Sequence, residues 1–239
     1  MGWIKIGVFV LGVLLGSMLN SFISWWPQEQ TGSGPQAVCP HCGYAWQGLE
    51  KISLWGLLFS RGRCQYCGDR VPLRYILVEL FTGILFVLAF TRGKGPVDLI
   101  RLLVFVLLLV PLFFIDLKHH RLPNILTLPG IGLGLLLSAG LGQIKSAIIG
   151  ALTGGGLLFI VALVTRGGLG MGDAKLQAMV GAFLGLRAML ISLTIGVLLG
   201  GVVGLLLLAL QVKGRKDMIP YGPFLITGAL LVSLVIVTG

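Results

Sequence analysis

The sequence predicts an all-α polytopic membrane protein with about eight transmembrane helices and a small cytoplasmic loop domain between the first and second. Three observations carry that expectation. Of 239 residues, 56% are hydrophobic and only 11% charged, and the mean hydropathy is +1.00. Soluble domains carry about 25% charged residues, and one soluble core cannot hide this much apolar surface. The apolar stretches are continuous and do not alternate, which disfavours an outer-membrane β-barrel. One polar stretch, 27–73, is long enough to form a separate module, and it holds all four cysteines. Disorder is excluded as well, because it requires low hydrophobicity.

Taken in order, the first span is read at 4–25. A cleavable signal peptide is the competing reading; the run is long for one, and no small-residue cleavage site follows Pro27. The polar module then opens on QEQTGSGPQ, a Gly/Ser/Pro linker. Seven further apolar runs are read at 74–91, 97–115, 123–141, 144–165, 173–186, 188–211 and 221–238. The sixth span overall, 173–186, is short, and is expected to be tilted, broken or recessed. Thirty-seven glycines, dense at 150–156 and 196–204, mark close helix contacts. The domain reading is therefore a first helix at 1–26, the polar loop domain at 27–73 and a seven-helix membrane domain at 74–239.

Eighteen Lys and Arg against eight acids give a net charge of +10. In a membrane protein this excess belongs to loops facing the anionic cytoplasmic leaflet, so no nucleic-acid partner is expected. With eight spans, twelve of the eighteen cations fall on the side of the long loop and six on the other. The twelve-cation side is read as cytoplasmic, with both termini facing outward.

The four cysteines form two pairs, Cys39-Pro-His-Cys42 and Cys64-Gln-Tyr-Cys67, separated by 21 residues. Each pair sets two thiolates on one tight turn, and two such turns close a tetrahedral Zn²⁺ site. Gly43 and Gly68 follow the second cysteine of each pair and let the backbone turn. A loop this small needs such a staple. Disulfides or free thiols are the alternatives, and a reducing cytoplasm disfavours disulfides. The zinc is expected to be structural, since four sulfurs leave no open position.

Of eight acids, Glu29, Glu50 and Asp69 fall in the polar loop, and Asp98 and Asp217 in short connections. Glu79, Asp116 and Asp173 belong to spans, where an acid is costly and is a functional hypothesis by default. Asp116 closes the third span and Asp173 opens the sixth, both at the cytoplasmic side. Two converging carboxylates can share a proton, activate water and protonate a leaving amine. Opposed helix dipoles then place the shared proton mainly on Asp116 and leave Asp173 as the base. The alternative is that each aspartate pairs with Lys118, Arg121 or Lys175. For Glu79 the alternative is a polar contact between helices.

Six segments in order resemble one family. They are Gly12-Val-Leu-Leu-Gly16-Ser17-Met18-Leu19-Asn20, the paired cysteine loop, Tyr75-Ile-Leu-Val-Glu79-Leu-Phe-Thr-Gly83, Ile115-Asp116 with Leu122-Pro123-Asn124, Gly170-Met-Gly172-Asp173-Ala-Lys175-Leu176, and Ile219-Pro220-Tyr221-Gly222-Pro223-Phe224. Nearly the whole chain resembles the type IV prepilin peptidases, bifunctional leader peptidases and N-methyltransferases of bacterial pilus and secretion systems. The resemblance implies an aspartic endopeptidase of the bacterial cytoplasmic membrane with Asp116 and Asp173 as catalytic pair. It implies support from Gly170, Gly172 and Lys175 around the second aspartate. Its substrates would be type IV prepilins or secretion pseudopilins, cut after a glycine that ends a short basic leader. It further implies S-adenosylmethionine as methyl donor for the new N-terminus, with Glu79 and Gly83 in the segment tied to that activity. A peptidase without methylation, a proton-coupled transporter and a zinc-stapled assembly factor are the rival readings.

Overall fold

The computed structural model describes residues 2–26, 39, 42–44, 63–64, 66–70, 72–164, 170–210 and 220–236. The expected linker, Glu29, Glu50 and Asp217 lie outside these residues. The described chain is helical: α1 Gly2–Trp25, α2 Leu73–Arg92, α3 Pro96–His119, α4 Asn124–Gly140, α5 Ile144–Val164, α6 Met171–Ala209 and α7 Gly222–Leu231, continued by a π-helical turn Val232–Ile236. It divides into two compact units, Met1–Thr91 and Arg92–Gly239. By length and composition α1, α2, α3, α5 and α6 can cross a membrane, which makes five. The expectation of about eight therefore exceeds what helix length alone supplies. Asn124–Gly140 and Gly222–Ile236 are apolar but shorter.

In the first unit, α1 and α2 meet through small residues. A Cβ on Gly12 would stand 2.8 Å from the Gly83 Cα, and one on Gly16 would stand 2.9 Å from the Glu79 Cα. Backbones this close maximise dispersion contact, which drives helix association in lipid. Polar contacts lock the register: Asn20 Nδ2 donates to the Tyr75 carbonyl at 2.9 Å, and Arg74 Nη2 donates to Ser24 Oγ at 3.2 Å.

In the second unit the 39 residues of α6 are not one rod. Gly185 has φ 74 and ψ 176, and there the helix turns back on itself. In a straight helix Gln177 and Met189 would lie about 18 Å apart along the axis. Instead Gln177 Nε2 donates to the Met189 carbonyl at 3.5 Å. Helix α5 packs against both arms. A Cβ on Gly150 would meet the Gly181 carbonyl oxygen at 2.7 Å and the Gly185 carbonyl carbon at 2.8 Å. One on Gly154 would meet the Gln177 carbonyl oxygen at 2.8 Å and Met189 Sδ at 3.1 Å. Ser146 Oγ on α5 accepts the Leu186 N–H at 3.3 Å, so the second arm starts with a capped donor. The break at Gly185 falls two residues before the gap expected at 187, inside the run 173–186, and the first arm is short.

One acid was misplaced by the sequence pattern. Asp98 is not in a loop but in the first turn of α3, where its carboxylate pairs with Arg101 Nη2 at 2.6 Å and accepts the Lys94 N–H at 3.1 Å. An acid there satisfies exposed N–H groups and the positive helix end, so Pro96 rather than Asp98 marks the helix start.

Gly185→Val is expected to destabilise the protein by about 1–3 kcal/mol, because a β-branched residue cannot adopt this φ without strain. Thermal unfolding of purified protein in detergent reads the effect. An unchanged midpoint would contradict the turned-back helix.

Candidate active site and metal centre

The cysteine module is built from two matching turns. The Gly43 N–H donates to the Cys39 carbonyl at 2.9 Å, and the Gly68 N–H to the Cys64 carbonyl at 2.9 Å. The Cys39 N–H reaches the Tyr44 carbonyl at 2.9 Å, and the Cys64 N–H the Asp69 carbonyl at 2.8 Å. Gly43 and Gly68 carry φ 70 and 75, the left-handed conformation such a turn demands and glycine supplies without strain. Tyr44 and Tyr66 stack at 5.4 Å across the pair.

All four Sγ atoms lie within 4.8 Å of one another, with Cys39 to Cys67 at 3.8 Å and Cys42 to Cys64 at 4.0 Å. Zn–S bonds of about 2.3 Å in a tetrahedron set sulfurs about 3.8 Å apart. A disulfide needs about 2.05 Å, and all four cysteines are free. The donor set thus fits a structural zinc ion. Burial raises the Cys64 thiol, but the Cys67 and Tyr66 backbone N–H groups and the neighbouring sulfurs outweigh it and bring it down to about 6. The Asp69 backbone N–H lowers Cys67, but desolvation and the other three thiols push it up to about 12. Thiolates accumulate on such a cluster only with a cation among them, which is what metal binding supplies.

The dyad residues sit at helix ends in the second unit. Asp116 lies in the penultimate turn of α3, whose C-cap His120 has φ 51 and donates its N–H to the Asp116 carbonyl at 2.9 Å. Asp173 lies in the first turn of α6, behind N-cap Gly170. Its N–H donates to the Gly170 carbonyl at 3.0 Å, and its carboxylate accepts a hydrogen bond from the Gly170 backbone. The carboxylate of the third helical residue thus reaches back to the N-cap N–H, which is one half of a capping box, the N-cap glycine having no side chain to supply the other. Asp116 is 5% exposed and Asp173 7%, and the two carboxyls lie within electrostatic range. Among the described residues neither forms an ion pair with Lys118, Arg121 or Lys175.

Lys175 Nζ donates instead to Asn124 Oδ1 at 2.9 Å. Gly172 makes room for Leu122, whose Cβ would stand 3.0 Å from a Cβ there. The Leu-Pro-Asn and Gly-x-Gly-Asp segments are therefore joined, which steadies the start of α6 beneath Asp173. Two neighbours were visible in a sequence motif without a role attached to them. Gly222 opens α7 against Asp116, where a Cβ would meet Oδ2 at 2.5 Å. Tyr221 is within electrostatic range of Asp173. Their signal was Ile219–Phe224, whose glycine flanked by prolines marks a close backbone approach.

Glu79 and Gly83 belong to the α1–α2 seam of the first unit. Glu79 is 0% exposed, and the Phe9 ring would lie 2.8 Å from a Cβ on Gly83. The space at Gly83 is filled by helix packing. The described residues of this seam do not form a cradle that fits a methyl donor, and no methyl-transfer step is derived from them.

Purified protein is expected to carry one zinc ion per chain, and Cys64→Ser or Cys67→Ser to lower both zinc content and protein level. Elemental analysis with intact mass checks this. Zinc-free protein with two disulfides would overturn the metal reading.

The chain is similar to known proteins over most of its length. The family model described as Bacterial Peptidase A24 N-terminal domain matches residues 10–92, and that of the Type IV leader peptidase family matches residues 103–205. A Myxococcus xanthus (strain DK1622) protein named prepilin leader peptidase/N-methyltransferase is 41% identical over 84% of this chain and 62% of its own length. The match thus spans less than two thirds of that relative. Proteins of the same name from Aeromonas hydrophila and Bacillus subtilis (strain 168) are 40% and 29% identical, over 80% and 95% of this chain and 68% and 92% of theirs. No solved structure matches the chain. With two family models matched in turn along the sequence and a relative 40% identical over 80% of it, the chain belongs to the type IV leader peptidase family.

Proposed function

We propose that the chain is an aspartic endopeptidase of the bacterial inner membrane that removes the basic leader from type IV prepilins or secretion pseudopilins. The observation that carries this is the convergence of two buried carboxyls, Asp116 and Asp173, from separate helix ends, within electrostatic range of each other and with His120 the cation near Asp116. Buried acids are costly, and retaining two together makes sense where they share a proton for chemistry.

In the reaction one carboxylate takes a proton from water as its oxygen attacks the scissile carbonyl. The protonated partner donates to the carbonyl oxygen. Collapse of the tetrahedral species then breaks the C–N bond and passes a proton to the leaving amine. Asp173 accepts the Gly170 N–H at the start of α6, and Asp116 the Gly222 N–H at the start of α7, so each carboxyl can stand ionised as the base while the other holds the proton as the acid. Gly170, Gly172 and Gly222 keep the backbone close to the carboxyls, and Lys175 holds the entry of α6 through Asn124. The relatives' name, prepilin leader peptidase/N-methyltransferase, supports a second activity, methylation of the new N-terminus.

The topology proposed is eight crossings. The two arms of α6, with α1 to α5 and α7, supply eight helical segments. The ends bearing Asp116, Asp173 and Gly222 then share the cytoplasmic face with the loop domain 27–73, flanked by the helix 1–26 and the membrane domain 74–239. A prepilin is itself a membrane helix with a cytoplasmic leader, so its scissile bond would meet the dyad at that face.

Asp116→Asn and Asp173→Asn are each expected to reduce cleavage by about 100-fold or more while the protein still accumulates. Mass spectrometry of a co-expressed prepilin reads cleavage and the added methyl together. Near-normal cleavage by either variant would sink the dyad, whereas cleavage without the 14-dalton increment of about one methyl group would leave a peptidase alone. A reporter active only in the cytoplasm should stay silent when fused after Gly239, and active fusions would contradict the topology.

A further inference from the structure

At the far end of α3 from Asp116 lies a cavity of about 310 Å³, wholly within the second unit. Arg92, Lys94 and Arg101 line it, with Asp98 the one acid among its lining residues. Three cations less one carboxylate leave a formal +2. Asp98 is already engaged by Arg101 Nη2 and the Lys94 N–H. Arg101 is fixed further: Nη1 donates to the Phe183 carbonyl at 3.1 Å and to Gln143 Oε1 at 3.3 Å. Its Nε is buried and has no partner among the described residues. The start of α3 adds its own positive end, and Leu102, Leu184 and Val232 supply an apolar wall.

From this we infer that the cavity binds the phosphate group of an anionic ligand, either an anionic phospholipid headgroup or free inorganic phosphate. The guanidinium and ammonium groups match phosphate oxygens. Basic pockets between transmembrane helices take lipid headgroups in this way. Asp98 sets the site rather than blocking it, because it holds Arg101 in place. Asp116 is 18 residues from Asp98 along one helix, about 27 Å, so the site is separate from the dyad. Its placement at the outer leaflet rests on the topology proposed above; the anion site does not.

The test uses the full chain in phosphatidylcholine nanodiscs. Thermal unfolding is followed while phosphatidylglycerol is added to the bilayer or, separately, inorganic phosphate to the buffer at constant ionic strength. Arg101 also supports Phe183, so the primary variant is the exposed pair Arg92→Gln/Lys94→Gln, with Arg101→Gln as the second. The wild type should melt at a higher temperature with one of the two additions, and both variants should lose most of that shift. A phosphatidylglycerol-dependent shift assigns the site to a lipid headgroup, and a phosphate-dependent shift to the free anion. No shift in the wild type, or the same shift in Arg92→Gln/Lys94→Gln, would overturn the assignment. Peptidase failure in the dyad variants would leave this result untouched.

Discussion

The close approach of α5 to both arms of α6 is the contact on which the second unit depends. Run straight, the 39 residues of α6 would reach about 58 Å, nearly twice a hydrocarbon core of about 30 Å. Gly185 permits the turn, but a permissive backbone does not select it. Selection comes from Gly150 and Gly154 on α5, which let that helix nest between the arms, and from Gly181 against Gly150. In lipid there is little hydrophobic gain from bringing helices together, so dispersion at such contacts decides the packing. The nested arms set the depth of the first one, and with it the depth at which Asp173 meets Asp116.

Around the dyad the protein works with backbone more than with charge. Three helix ends, those of α3, α6 and α7, converge on the two carboxyls, and their glycines let main chain come where side chains would stand. Cations that share the same segments are used elsewhere: Lys175 bonds Asn124. A lysine bound to either carboxyl would neutralise it as a proton carrier. Neither carboxyl is ion-paired to a lysine or arginine among the described residues, and each takes a backbone N–H, Asp173 from Gly170 and Asp116 from Gly222.

Much of this was legible in the residues. The paired cysteines with a glycine after each second cysteine spelled out the module, because metal geometry is a local, short-range demand. The apolar runs matched the helices within a few residues, and the break at Gly185 lies two residues before the gap read between the sixth and seventh. Other features were not legible. Asp98 looked solvated because a polar residue between apolar runs reads as loop, whereas Pro96 had already begun the helix. The contact of Gly222 with Asp116 joins residues more than a hundred apart, and the prolines around it signalled a turn without naming its neighbour. Composition likewise cannot tell a 39-residue rod from a hairpin; that distinction lies in one φ angle and the glycines facing it.

Tyr75 belongs to two structures at once. Its ring side packs with Cys39 and Cys64 in the core of the metal module. Its hydroxyl lies 2.9 Å from Ser24 Oγ, and its carbonyl receives Asn20 from α1. The thiols alternate in accessibility, with Cys39 and Cys64 buried and Cys42 and Cys67 exposed. The thiols nearest to thiolate and the thiols nearest to solvent are therefore different ones, since Cys64 is the acidic thiol and Cys67 the protonated one. Through Tyr75 the packing of the inner pair is continuous with the α1–α2 seam, so a change in the module in the water is felt as a change in helix pairing.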